Sequence, residues 1–316
     1  MGVLRKDYTL ERWVYYATDR KKRPIEFKEP VAIANTKICL FCPGNEHLTP
    51  KEIGRVEYKN NWKIRWFPNK FPAVELNGSP KIKAKNSFLM ESNNYGMHEI
   101  IADTNEHKKQ FADLSIEHIK EIFEVYSLRI KSLSKIKGIK YVAVFKNHGS
   151  LAGTSLVHSH TQIAAVSLVP EIVLDEVKAA GKFKKCPYCS IIRMESKSKR
   201  KIFENKNAVA FAPFASRFNF EAWIFPKRHV GSITDMRENE LYDMALALKR
   251  ILLKLKMLNA SYNFFLHYAP KKEKKELHFH IEVTPRLAKY GGFELSTGAI
   301  INSIMPEDAA KFYRAK

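Results

Sequence analysis

Two histidines and a glutamine stand at alternate positions in His158-Ser-His160-Thr-Gln162, a stretch that reads as a strand. Residues i, i+2 and i+4 of a strand share a face, so the two imidazoles are placed about 6–7 Å apart at their backbones. One ring can attack phosphorus while the other is held. An amide in the third position offers a neutral donor to a phosphoryl oxygen where a third histidine would offer an acid, so the pattern predicts group transfer rather than hydrolysis. The residues leading in fit that chemistry. Tyr141-Val-Ala-Val-Phe145 reads as a buried strand, and Asn147-His-Gly149 and Gly153-Thr-Ser155 supply turn-forming and hydrogen-bonding groups whose backbone amides can hold an anion. On this segment alone, two packed core histidines are an equal alternative.

The cysteines shift that balance. All four fall in two Cys-x-x-Cys pairs, Cys39 with Cys42 and Cys186 with Cys189, and 143 residues lie between the pairs, too many for one zinc knuckle. Each pair must find histidines: His107 and His158 for the first, His229 and His278 for the second. Two thiolates and two imidazoles close a tetrahedral shell, so two structural zinc ions are expected. A pair of redox disulfides is the competing reading, and no thioredoxin-like context supports it.

The spacing implies a repeat. His107 to His158 covers 51 residues and His229 to His278 covers 49. In each half a strand-like run (His98-Glu-Ile-Ile-Ala-Asp; Ala222-Trp-Ile-Phe-Pro) precedes the metal-binding histidine. An amphipathic helix follows, marked by Ile116, Ile119, Phe123, Tyr126, Ile130 and Leu133 in the first half and by Leu241, Met244, Leu248, Ile251, Leu252 and Leu255 in the second. A strand then closes each half on a His-x-His pair, His158/His160 or His278/His280. The expected fold is α+β: two tandem halves, 1–168 and 169–316, whose antiparallel sheets and flanking helices form a pseudo-dimer.

These motifs, in order, resemble the galactose-1-phosphate uridylyltransferase branch of the histidine-triad superfamily, which also holds ADP-glucose phosphorylase. The likeness runs from Trp13 through Arg20-Lys-Lys-Arg23-Pro, Cys39-Leu-Phe-Cys42-Pro-Gly-Asn, Phe67-Pro-Asn69-Lys-Phe71-Pro and Asn147-His-Gly149 to the histidine pair. It resumes at Pro226-Lys-Arg-His229 and ends at Gly291-Gly-Phe-Glu294. The resemblance implies two histidine-triad-like halves and a ping-pong reaction in which His160 attacks the α-phosphorus of a nucleotide sugar. It also implies a homodimer. By the family pattern Gln162 steadies the phosphoryl group, Ser155 and Asn147 bond its oxygens, Arg20 and Arg23 neutralise charge, Asn69 and Phe71 line the nucleotide pocket, and Gly149 and Glu294 belong to the substrate site. Composition alone would put Phe71 in the core instead. UDP-glucose with galactose 1-phosphate is expected first, and ADP-glucose with phosphate second. Cys186 and Cys189, and the tail around Glu294, favour the latter, because uridylyltransferases often use a carboxylate–histidine metal site in the second half. His267 is the reserve ligand for the second zinc. In the second half Ile281-Glu282 follows the pair, so an acid stands where Gln162 does and would repel phosphate; His280 is expected to be a relic or a structural group.

At 316 residues and 45% hydrophobic content the chain can bury a shared core. Lys182 to Lys201 reads as a solvated connection. The absence of a long apolar run or a signal-type start, together with metal-binding thiols, predicts a cytoplasmic protein without a membrane span. A net charge of +21 raises a different class, a basic zinc protein that binds nucleic acid. The charge is scattered and lacks the aromatic–basic interleaving of a reader, so it is better matched to small anionic substrates. His47, His98, His118 and His148 receive no role.

Overall fold

The computed structural model describes residues 2–22, 38–270 and 277–315. Its centre is one antiparallel sheet of ten strands: β1 Gly54–Tyr58, β2 Asn61–Pro68, β3 Gly96–Ala102, β4 Tyr141–His148, β5 His160–Val166, β6 Lys201–Glu204, β7 Ala208–Phe211, β8 Ala222–Pro226, β9 Tyr262–His267 and β10 His280–Pro285. Their order across the sheet is β6-β7-β8-β10-β9-β4-β5-β3-β2-β1. Read outward from the centre, each half repeats one pattern, β4-β5-β3-β2-β1 and β9-β10-β8-β7-β6. The halves join where β9 pairs β4, from Tyr262 opposite His148 to Phe265 opposite Phe145. The sequence suggested that each half supplies part of a sheet; the backbone pairing joins the two parts into one.

The central sheet is accompanied by helices α1 (Ile116–Leu133), α2 (Glu171–Gly181), α3 (Pro187–Glu195), α4 (Glu238–Met257), α5 (Gly292–Thr297) and α6 (Pro306–Arg314), by a small sheet of Val3–Lys6, Trp13–Tyr16 and Ile300–Asn302, and by the paired segments Lys83–Ala84 and Met90–Glu91. Helix α1 starts where Ser115 Oγ accepts the His118 N–H at 3.1 Å. Its buried stripe includes Ile119, Phe123, Tyr126, Ile130 and Leu133. The stripe of α4 runs from Leu241 through Leu248 to Leu255. Both stripes enter a single core with Val144 and Ile163 from the first half and Ile224, Phe264 and Ile281 from the second. Strand side chains alternate, so if Val144 and Ile163 face these helices, Phe145, Asn147, His160 and Gln162 face the other way. The residues with chemistry therefore lie on the face that α1 and α4 leave uncovered.

The expectation for Lys182 to Lys201 needs correction. Lysines occupy only its ends, and the middle forms α3, with Pro187 at its first position and Tyr188, Ile191, Ile192 and Glu195 buried. Glu195 accepts hydrogen bonds from Arg200 Nη2 (2.7 Å) and Tyr8 Oη (2.9 Å), which ties the segment down.

Candidate active site

Alternation sorts residues 158–161 between two environments. On the helix side, the Asp103 carboxylate accepts hydrogen bonds from Ser159 Oγ (2.9 Å), Thr161 Oγ1 (2.8 Å) and Lys146 Nζ (2.6 Å). Lys146 also donates to the His160 carbonyl at 2.8 Å, and Tyr126 of α1 meets Thr161 Oγ1 at 2.7 Å. With Ser159 and Thr161 pinned there, His158 and His160 turn to the opposite face, where both are buried and each ring makes a T-shaped contact with Phe41. Regular pairing begins only at His160, so His158 precedes the strand on which the sequence placed it.

His160 Nδ1–H donates to the His158 carbonyl at 2.8 Å, which fixes the tautomer and leaves the lone pair on Nε2. Burial, reinforced by the Lys146 charge, lowers its pKa from the ordinary imidazole value, so the ring is neutral near pH 7. Ala102 stands across from it on β3. Continuing the β4–β5 register beyond Phe145 opposite Gln162 puts Asn147 across from it on the other side.

Cys39, Cys42, His107 and His158 bring one donor atom each to within 4.8 Å of one another, as do Cys186, Cys189, His229 and His278. Cys39 Sγ lies 3.5 Å and Cys42 Sγ 3.6 Å from His158 Nδ1, and Cys42 Sγ lies 3.3 Å from His107 Nδ1. In the second group Cys189 Sγ is 3.4 Å from His229 Nδ1 and 3.5 Å from His278 Nδ1. A tetrahedral zinc with ordinary bond lengths has S···N edges of about 3.6 Å, so both donor sets have the dimensions of a filled shell. His158 Nε2–H donates to the Thr104 carbonyl (2.7 Å) and His278 Nε2–H to the Pro226 carbonyl (3.0 Å), turning Nδ1 toward the sulfurs. Burial and the neighbouring thiol push Cys42 up to about 11, and burial with Cys186 does the same to Cys189. A cation is what would displace those protons.

The other predicted substrate residues are distributed unevenly. Asn147 Oδ1 accepts from Asn263 Nδ2 at 2.8 Å, a bond from the second half to the first; Asn263 Oδ1 in turn accepts from Arg286 Nε at 2.6 Å. Gly149 has φ +82°, and a Cβ there would run into Ser261, so it serves the turn. Ser155 is exposed on the loop before His158. Asn69 donates its backbone N–H to the His98 carbonyl at 2.8 Å. Phe71 is 80% exposed rather than in the core, because Phe67-Pro-Asn-Lys-Phe71 leaves the sheet at Pro68. Arg20 is exposed in the turn Thr18–Lys22, and Arg23 lies outside the described residues. Glu294 Oε2 accepts the Gly291 N–H at 2.9 Å, capping α5. Among the described residues, no hydrogen bond or ion pair joins Arg20 or Glu294 to His160.

Sequence reasoning passed over four residues of this site. Lys146, a charge inside an apolar strand, was a visible signal. Asp103 and Asn263 carry no local pattern. His98 carries none either, yet its Nε2 lies 3.0 Å from Gln162 Oε1.

In the second half His280 Nδ1–H likewise donates to the His278 carbonyl at 3.0 Å. There the likeness ends. Phe225, where the first half has Ala102, stacks on the ring at 4.6 Å, and Tyr188, where the first half has Phe41, stacks at 5.5 Å. Glu282 Oε1 lies 3.5 Å from Nε2. Burial works to raise Glu282, but His267, His280 and Arg217 outweigh it and hold it down to about 2, so it stays charged. His267, the reserve ligand, sits against Glu176 at 3.0 Å and forms a buried group with it and His280, away from Cys186 and Cys189.

The model of the galactose-1-phosphate uridyl transferase N-terminal domain matches residues 3–170, over half of the chain. The chain belongs to the galactose-1-phosphate uridylyltransferase family. As a member of this family it is a nucleotidyltransferase. A model described as a domain of unknown function (DUF4921) matches residues 96–312. ADP-glucose phosphorylase of Arabidopsis thaliana is 33% identical, over 98% of this chain and 92% of its own length. Galactose-1-phosphate uridylyltransferase of Thermotoga maritima is 27% identical over 99% and 98%. The structure of the Arabidopsis phosphorylase with bound ADP-glucose superposes with a TM-score of 0.86 at 31% identity, covering all of this chain and 99% of the other. No helix among the described residues is long and apolar enough to cross a membrane.

Proposed function

We propose that this family member moves a nucleoside monophosphate from a nucleotide sugar to a phosphate acceptor through a covalent nucleotidyl-His160. The single observation that carries the reading is the fixed imidazole of His160, whose Nδ1–H is bonded to the His158 carbonyl so that the lone pair lies on Nε2. Nε2 attacks the α-phosphorus, the P–O bond to the sugar phosphate breaks, and sugar 1-phosphate leaves with the electron pair. An acceptor phosphate oxygen then attacks the same phosphorus, the P–N bond breaks, and the imidazole is restored. Splitting the exchange spares two anionic esters a direct encounter.

In this reading the amides of Gln162 and Asn147 donate to phosphoryl oxygens, and Ser155 joins them. Arg20 and Arg23 neutralise phosphate charge, Asn69 and Phe71 border the nucleotide, Gly149 shapes the turn and Glu294 completes the substrate site. Cys39, Cys42, His107 and His158 would hold one zinc, and Cys186, Cys189, His229 and His278 another, each closed to substrate and bracing the fold. The halves would divide at residues 168 and 169. Reduced thiols fit a cytoplasmic setting, and a homodimer belongs to the proposal.

Two donors fit, UDP-glucose with galactose 1-phosphate as acceptor and ADP-glucose with phosphate. The higher identity to the Arabidopsis phosphorylase favours the second. Incubation with each donor labelled in its α-phosphate, followed by denaturation and peptide mapping, tests both. Acid-labile label on His160 is expected, and the donor that gives it names the nucleotide. Label from neither donor would remove the proposal.

A further inference from the structure

His98 lies on β3 beside β5 and is 7% exposed, deep for a histidine with no metal or charged partner named by the chemistry so far. Its two nitrogens do different work. Nδ1 faces the backbone N–H of Ala73 at 3.0 Å, and an amide N–H can only donate, so Nδ1 must be the acceptor and the proton must sit on Nε2. Nε2–H then faces the Gln162 side-chain amide at 3.0 Å, and the atom it meets must be the oxygen. The opposite orientation of the amide would set two donors against each other. Gln162 is left with its NH2 as the end not engaged by His98, on the residue two places along the strand from His160. Burial also holds His98 below the ordinary imidazole pKa, which keeps this neutral tautomer in place.

We propose that His98 is a positioning residue for nucleotidyl transfer: its Nε2–H fixes Gln162 Oε1, so that the Gln162 NH2 is presented to the transferring phosphoryl group. The inference rests on the reading of His160 as the nucleophile. A glutamine free to rotate could offer its carbonyl oxygen to the phosphoryl group, and that contact repels. The restraint matters most as charge develops on the phosphoryl oxygens, so it belongs to the chemical step more than to donor binding.

The test is single-turnover formation of nucleotidyl-His160 in the full-length protein with whichever donor labels the wild type. His98→Leu removes the donor. His98→Gln keeps one, because the terminal amide nitrogen of glutamine falls close to the position of histidine Nε2. Wild type, both variants, Gln162→Ala and the His98→Leu/Gln162→Ala pair are compared, with melting temperatures alongside. Expected are a fall of about 10- to 100-fold in His98→Leu with the donor's KM shifted less than about threefold, and a rate in His98→Gln within about fivefold of wild type. The double variant should be no slower than Gln162→Ala alone, since His98 has nothing left to position. The proposal is overturned if His98→Leu keeps the wild-type rate, if its loss multiplies with that of Gln162→Ala, or if His98→Gln is as slow as His98→Leu. A wild type that labels while His98→Leu labels equally fast sinks the role of His98 alone; a wild type that never labels at His160 sinks the proposed function and this inference together.

Discussion

At the scale of single residues, two histidines with the same backbone hydrogen bond have opposite surroundings. His160 faces Ala102 and sits beside a neutral amide, whereas His280 is packed against both Phe225 and Tyr188 with a charged Glu282 at its other nitrogen. His160→Asn should therefore abolish label transfer, while His280→Asn should retain at least a third of the wild-type rate and instead lower the melting temperature; single-turnover labelling and calorimetry separate the two. Much of this was legible in the chain. The two Cys2His2 groups fell out of cysteine count and spacing, and the contrast of Gln162 with Glu282 is the basis for proposing that the first half carries the chemistry. The amide-fixing role of His98 was not legible, because it depends on which backbone N–H meets its other nitrogen, and Ala73 lies 25 residues away.

Elements were read more surely than the loops between them. The apolar stripes that predicted two helices are the buried faces of α1 and α4, because a 3.6-residue period leaves few alternatives over five turns. Charge misled only where it bordered a short helix: the lysines at both ends of α3 hid Tyr188, Ile191 and Ile192 between them. The start of α4 supports a pH prediction. Glu240 accepts from Arg228 Nε and Nη2, both at 2.7 Å, and from the Arg237 N–H at 2.8 Å. The hydrogen bond from Arg228 lowers its pKa, against an opposing push from burial. A depressed carboxylate pKa means stability that is fully present above the unfolded value of about 4.3 and is lost as pH falls through the lower, folded value. Glu240→Gln should cost about 1 kcal/mol at pH 7, some 2–4 °C in Tm, and the gap between variant and wild type should close below about pH 4 in thermal melts. A gap that stays constant with pH would show that the charge contributes nothing.

At the scale of the molecule, the ten strands form one sheet, so the second half reaches the site of the first without crossing any cleft. The Asn263 bond to Asn147 is the clearest case. Asn263→Ala should slow nucleotidyl-His160 formation roughly tenfold or more while leaving metal content and the far-ultraviolet circular dichroism unchanged, because small displacements of a phosphate-binding amide are costly. The repeat was visible from the histidine spacings. The joining of β4 to β9 was not, since nothing in either strand distinguishes an edge from a partner until both halves are folded. Phe225 in the place of Ala102 has a further meaning. If the chain arose by duplication of one unit, the larger side chain marks a division of labour: one copy remained under selection for turnover, and the other, relieved of admitting a ligand, was free to become a rigid wall that supports its twin.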